Sequence, residues 1–245
     1  MKKIIVSIAC LLAFVACKQE KKETSEVTVE EVEVVQNEWE VLFDGTSLDQ
    51  WKEFKTDGVS DAWKIEGDAL VYTPPAEGEE KKNHDLVTKK EFTDFVLSLD
   101  WKISEAGNSG VFWGVSEDEQ FGTGYQTGPE IQILDNDKHP DAKAGTTHQA
   151  GALYDMVSPA KDVTKPIGEW NTMVITVNHK EHVGSVTLND TVMVTFPVAN
   201  EEWNAMVAKS KFAGWEGFGK FTTGKIGLQD HGNVVAFRNI KIKQL

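Results

Sequence analysis

Gly128 to His139 reads G-P-E-I-Q-I-L-D-N-D-K-H, and its alternation from Glu130 to Leu134 sets Glu130 and Gln132 on one face of a strand, with Ile131 and Ile133 on the other. Asp135, Asp137 and His139 crowd its exit. Glutamate is almost never fully buried without a partner, so the Glu130 face is expected to line a polar cleft. Further polar groups stand at Asn108-Ser109, at His148 with Tyr154, and at Asp230-His231 with Arg238. A sandwich sheet can gather side chains from strands far apart in sequence, so these segments are expected to converge. Carboxylates and imidazoles brought together do general acid–base chemistry, which makes Glu130, Asp135, His139 and His231 the candidate catalytic residues. Asp230 is placed to orient His231 or to raise its pKa. Arg238 shares a strand face with Val234, Ala236 and Ile240, where an unpaired guanidinium is costly, so it is expected to pair with a carboxylate or to touch ligand. Asp137 and Lys138 read as plain turn residues ahead of Pro140.

Metal and nucleotide motifs are sparse. Asp135 to His139 lacks the sixth-position Gly and twelfth-position Glu of a calcium-binding EF-hand loop. No H-E-x-x-H or paired C-x-x-C spacing points to zinc, and no G-x-S-x-G elbow or nucleotide-binding glycine fingerprint occurs. A divalent ion held by separated His, Asp and Glu side chains is left open. Among the tryptophans, Trp101 and Trp170 follow strand periodicity and are expected in the core, whereas Trp113 and Trp215 are the candidates for a sugar-stacking platform.

The elements that must position these groups are strands. Phe95 to Ile103 alternates apolar and polar residues, and similar runs cover Glu40 to Phe43, Trp63 to Glu66, Ala69 to Tyr72, Gly110 to Val115, Glu130 to Leu134, Trp170 to Asn178, Gly184 to Leu188, Val192 to Phe196, Lys225 to Gln229 and Val234 to Ile242. Turns at Glu66-Gly67-Asp68 and Leu188-Asn189-Asp190 imply antiparallel hairpins. One helix is expected over Asn200 to Ser210, with Asn200 as its cap and Glu201 and Glu202 in its first turn. Gly214 to Gly224 is a glycine- and aromatic-rich loop long enough to flank a site. The fold class is therefore all-β, a sandwich with one short helix.

Residues 1–17 carry Lys2 and Lys3, an apolar run from Ile4 to Val15, then Ala16 and Cys17, which is the pattern of an export signal. The run is shorter than the roughly 20 apolar residues of a spanning helix. F-V-A-C resembles a bacterial lipobox, which implies lipidation at Cys17 and a periplasmic or cell-surface lipoprotein. Residues 18–38 read as a charged flexible tether, leaving 39–245 as the folded domain. Its core contains no cysteine, so no disulfide holds it. A formal net charge of -14 disfavours nucleic acid, whose phosphates need Lys and Arg.

Six segments taken together, Leu42 to Trp51, Asp94 to Ile103, Gly107 to Val111, Pro129 to Asp135, Gly168 to Asn171 and Ile226 to Ile240, resemble the 3-keto-disaccharide hydrolases, also described as 3-keto-glucoside 1,2-lyases and 3-keto-2-hydroxy-glucal hydratases. The resemblance implies a concanavalin-like jelly-roll sandwich of two antiparallel sheets and an enzyme acting on oxidised 3-keto-oligosaccharides or glycosides. The implied route removes the C2 proton, acidified by the C3 ketone, and expels the group on C1; water then adds to the 3-keto-glucal. Glu130, Asp135, His139 and His231 are open candidates for base and acid, and Arg238, Asn108 or a metal for holding the enolate. Asn108, Trp113, Gln132, His148, Tyr154, Trp215 and Arg238 are the expected substrate contacts.

Two other readings compete. E-I-Q-I-L-D places Glu130, Gln132 and Asp135 at the spacing of a retaining laminarinase-like glycosidase, although Gln132 and the short Asp135 depart from its carboxylates. A non-catalytic carbohydrate-binding module would use the same fold without turnover.

Overall fold

The computed structural model describes residues 38–76, 78 and 82–245. The export signal, Cys17 and the tether up to residue 37 lie outside the described residues. Strands β1 (Glu40–Phe43), β3 (Trp63–Glu66), β4 (Ala69–Tyr72), β6 (Phe95–Ile103), β9 (Asn171–Asn178), β10 (Val183–Leu188), β11 (Thr191–Pro197) and β13 (Val235–Gln244) form an 8-stranded sheet. Its order is β11-β10-β9-β6-β13-β4-β3, with β1 paired to β13. A second, 5-stranded sheet has the order β2-β5-β12-β7-β8, built from β2 (Trp51–Glu53), β5 (Leu86–Thr88), β12 (Lys225–Leu228), β7 (Asn108–Val115) and β8 (Glu130–Leu134). All these pairings are antiparallel.

Periodicity decides which sheet faces meet. Along β6 the buried positions are Phe95, Leu97, Leu99, Trp101 and Ile103, and they join Val111, Ile131, Ile133, Ile226 and Leu228 of the smaller sheet in one apolar core. This is a β-sandwich, and the sheet-to-sheet burial of alternate side chains is what holds it. The other parity of β5 and β7 points outward, where Val87 and Phe112 meet Phe54 in a satellite cluster that Val115 joins because the ladder slips at Gly114 (φ 63°). That outward parity also carries Asn108, Gly110, Glu130 and Gln132.

β8 is the last strand of its sheet, and an unpaired edge invites association. Gly151 to Tyr154 covers it: Gln132 N donates to Ala152 O at 3.1 Å, Gly151 N to Gln132 O at 2.9 Å, and Tyr154 N to Glu130 O at 3.0 Å. The single α-helix among the described residues, α1 (Glu201–Val207), starts where Asn200 Oδ1 accepts from Trp203 N at 2.9 Å. It is shorter than the expected span, which ends in turns after Val207.

The β10–β11 turn places both Asn189 (φ 46°) and Asp190 (φ 62°) in the left-handed region that such hairpins require. Asn189 also ties distant chain together. Its Nδ2 donates to Val163 O and Asn171 Oδ1, each at 2.8 Å, and its Oδ1 accepts from Thr172 N at 3.0 Å. Replacing Asn189 by Ala removes these bonds from a residue that already favours positive φ, and is expected to cost about 2 kcal/mol in denaturant unfolding.

Candidate active site

Register brings the outward groups together. β7 on β8 sets Gly110 opposite Gln132 and Phe112 opposite Glu130, while Gln229, just past β12, donates its backbone N–H to Gly110 O at 2.9 Å. On this outer face lies a cavity of about 330 Å³, lined by Glu130, Gln132, Asn108, Gln229, His231 and Lys211, with Tyr125, Tyr154, Phe212, Trp215 and Phe218 as aromatic walls.

Glu130 is 9% exposed and sits on bare backbone: a Cβ at Gly110 would lie 2.2 Å from its Oε1. Burial pushes its carboxyl up to about 8, with Asp85 and Asp141 adding to the rise and Lys211 opposing it. At neutral pH the group therefore holds its proton. Asp85, buried beneath the site beside Asp230, is itself raised to about 7 by burial and by that neighbour.

His231 occupies a strained turn with φ 38°. The turn is latched from three sides: Asp230 N donates to Asp85 Oδ1 at 3.0 Å, His84 N to Asp230 Oδ2 at 2.6 Å, and Asn108 N to Asn233 Oδ1 at 3.2 Å. Asn108 Nδ2 donates to His231 Nε2 at 3.3 Å, which marks Nε2 as the ring's lone pair. His231 is exposed at the cavity mouth, yet surrounding protein partly strips the ring of water. That desolvation, reinforced by His139 with ring centroids 6.1 Å apart, holds the imidazole below its ordinary value. Asp230 acts in the direction expected from its position but is outweighed.

Three amide oxygens around the cavity, Asn108 Oδ1, Gln132 Oε1 and Gln229 Oε1, are buried without a hydrogen-bond partner. Two of the matching amide nitrogens are engaged, since Gln132 Nε2 donates to His148 O at 3.3 Å and Asn108 Nδ2 to His231. Buried acceptors left unpaired cost stability unless a ligand supplies the donor. Hydroxyl groups fit. Lys211 brings the one cationic side chain of the lining; its Nζ stands 4.0 Å from the Tyr154 ring centroid, and its backbone N–H donates to Asp155 Oδ2 at 2.7 Å. Asp141 anchors that wall, accepting from Tyr154 Oη at 3.0 Å and pairing with His148 Nδ1 at 2.9 Å, while Asp155 faces His148 Nε2 at 3.3 Å. Among the described residues no group of three or more His, Cys, Asp or Glu side chains is arranged to hold a metal ion; the oxygens that converge are the amide trio and Glu130.

The structure thus places Asn108, Glu130, Gln132, Tyr154, Trp215 and His231 on one cavity. Five other expected site residues lie elsewhere. Asp135 is 2% exposed and caps backbone, accepting from Ala106 N at 2.8 Å, Asp137 N at 3.1 Å and Lys138 N at 3.2 Å. His139 caps the turn after it through Nδ1 and braces His231 from behind. His148 stands behind Gln132 and Tyr154 rather than in the lining. Trp113 shares the parity of Val111, so it enters the core and stacks on Phe196 with centroids 5.6 Å apart. Arg238 meets Asp68 at 3.0 Å and Asp100 at 3.4 Å on the larger sheet, and its carboxylate pairing, not ligand contact, is what the fold uses. Trp170 is half-buried under Arg238 and Lys102 instead of in the core. Gln229, Tyr125 and Lys211 were not among the expected site residues; Gln229 adjoins Asp230-His231, whereas nothing local to Lys211 distinguishes it from a surface lysine.

Residues 38–243 match the family described as a 3-keto-alpha-glucoside-1,2-lyase-like domain. The chain belongs to that family. A Bacteroides thetaiotaomicron protein named 3-keto-disaccharide hydrolase is 32% identical over 293 aligned positions that cover 100% of both chains. The crystal structure of a Parabacteroides distasonis protein proposed to be a glycosyl hydrolase superposes with a TM-score of 0.77 at 31% identity, covering 84% of this chain and 94% of the other. At 11% identity, an inactivated beta-agarase B solved with agaro-octaose shares the fold, with a TM-score of 0.52 over 84% of this chain and 94% of that one.

Two substitutions separate site from scaffold. A carboxyl raised in the folded state stabilises below its unfolded pKa and loses that advantage as pH rises through its folded value. Glu130→Gln is therefore expected to gain stability over the parent as pH climbs from about 4.5 past about 8 in thermal melts; a gap independent of pH contradicts the buried acid. Asp135→Ala strips an acceptor from three backbone N–H groups and is expected to lower the melting temperature clearly.

Proposed function

We propose that the protein cleaves 3-keto-glycosides, including 3-keto-disaccharides, by elimination and rehydration. The observation that carries this reading is the opposite displacement of two groups on one cavity: Glu130 kept protonated to about 8, and His231 kept neutral. Environments that push a pair of titratable groups apart assign the acid and the base.

Substrate displaces the Asn108 Nδ2 donor from His231 Nε2, and the freed lone pair takes the C2 proton, which the adjacent ketone acidifies. Lys211 faces the oxyanion that develops on the C3 oxygen, an electrostatic role that removes the need for Arg238. The enolate then expels the C1 substituent, and Glu130 gives its proton to the departing oxygen. Free leaving alcohol and a 3-keto-2-hydroxy-glucal result. Water then adds to C1 with its proton passing to the Glu130 carboxylate, and the imidazolium returns a proton to C2. Both groups end as they began, and the sum is hydrolysis. The unpaired oxygens of Asn108, Gln132 and Gln229 accept from the ring hydroxyls and leave the ketone to Lys211.

Double displacement by a retaining glycosidase needs a second carboxylate about 5 to 5.5 Å from the first. Glu130 is the one carboxylate in the cavity lining, and Asp135 is committed to backbone capping. A plain binding module has no use for a carboxyl held off its ordinary pKa by burial. We also propose export and membrane attachment through Cys17; Cys17→Ser is expected to move the protein from the membrane to the soluble fraction.

Assays on 3-keto-trehalose test the chemistry. The kcat/KM profile is expected to rise through a pKa below 6.5 as His231 loses its proton and to fall near 8 as Glu130 loses its own. Glu130→Gln is expected to lose about 10²- to 10⁴-fold and to lack the alkaline limb. Release of glucose from unoxidised trehalose at a comparable rate sinks the elimination route.

A further inference from the structure

Register gives the cavity a direction. Along β7, Asn108 and the His231 turn stand at one end, Gly110 and Glu130 follow, and Val115 at the far end packs against Gly124 and Gly128, which flank Tyr125. Asn108 to Phe112 spans about 13 Å at strand rise. The hydroxyl-reading amides and the imidazole therefore cluster on one side of Glu130, and the rim aromatics Tyr125 and Trp215 on the other.

A cavity of about 330 Å³ encloses little more than one pyranose ring. Whatever hangs from that ring must leave through the mouth. Tyr125 is 42% exposed there, its ring centroid 6.1 Å from that of Trp215 with the planes tilted by 50°. Trp215 is braced edge-on by Phe212 at 5.2 Å and Phe218 at 6.2 Å, and those two rings stack at 3.8 Å. The loop bearing Trp215 is latched to the turn bearing Tyr125: Gly219 N donates to Thr127 O at 2.8 Å, and Gly217 packs so closely that a Cβ there would lie 2.5 Å from the Phe121 ring. The two aromatic faces are thus set before ligand arrives, and preorganised surface loses little on binding.

We propose that Tyr125 and Trp215 form a leaving-group subsite, so that substrate lies along β7 with its ketone ring toward Asn108 and His231 and its departing group against the aromatic pair. The inference rests on the proposed reaction, and it places Glu130 between the two halves, where the bond to the leaving oxygen breaks. The chemistry recognised is a flat apolar face, whether the C–H face of a second pyranose or an aryl ring. Beyond the oxygen that Glu130 protonates, the leaving group meets the faces of Tyr125 and Trp215, so its identity is read by shape.

Steady-state kinetics on methyl 3-keto-glucoside, 3-keto-trehalose and an aryl 3-keto-glucoside test this. In the parent, the disaccharide and aryl substrates are expected to exceed the methyl compound in kcat/KM, and Trp215→Ala and Tyr125→Ala to cut that preference roughly tenfold, with Trp215→Phe restoring part of it. If only the disaccharide loses its preference the occupant is a sugar, and if only the aryl compound does it is an aromatic aglycone; both uphold the subsite. An unchanged preference in both alanine variants overturns it while leaving the reaction standing. If none of the three substrates turns over, the proposed reaction fails, and calorimetry with the same set decides the subsite: a disaccharide or aryl affinity advantage lost in Trp215→Ala supports it, and equal losses across the set overturn it.

Discussion

A carboxyl group seated on bare backbone governs this molecule. Glu130 reaches its position because Gly110, across the β7–β8 pair, has no side chain, and the same contact shuts water away from the carboxyl. Nothing opposite fully neutralises it; Lys211 opposes the rise in its pKa but does not cancel it. The strand register, the covering of β8 by Gly151 to Tyr154 and the Asp141-anchored wall all serve that one placement. In exchange, the protein holds a carboxylic acid ready to donate at neutral pH.

Around this acid the remaining polar groups divide by distance from the chemistry. Asn108 touches His231 directly, and Asp85 and Asp230 hold its turn from beneath. His139 and His148 work one layer further out, fixing the neighbours of the cavity instead of entering it. A buried amide oxygen without a donor is unfavourable in the empty protein, and the convergence of such oxygens from Asn108, Gln132 and Gln229 marks a surface shaped for a hydroxyl-bearing guest.

Periodicity made much of the architecture legible. The alternation in Phe95 to Ile103 maps residue for residue onto buried and half-buried positions, and the parity of Glu130 and Gln132 against Ile131 and Ile133 identified the cavity face. The strands that periodicity missed, β2 and β5, have three residues each, too few to show a period. Residue type was a weaker guide than parity: Trp113 was expected at a sugar platform, but it shares the parity of Val111 and packs in the core. Asp135 looked catalytic because it follows Glu130 closely, yet a short acid at a strand exit serves as well to cap free N–H groups. Lys211 was silent because its role depends on Tyr154 and Glu130, which only the fold brings near it.

The displaced acid is the claim on which the rest stands. Titration of carboxyl-¹³C-labelled protein by NMR, with Glu130→Gln used to assign the resonance, measures it without substrate. A Glu130 signal that titrates near 8 upholds the account. One that titrates in the ordinary carboxylate range, about 4 to 5, contradicts it.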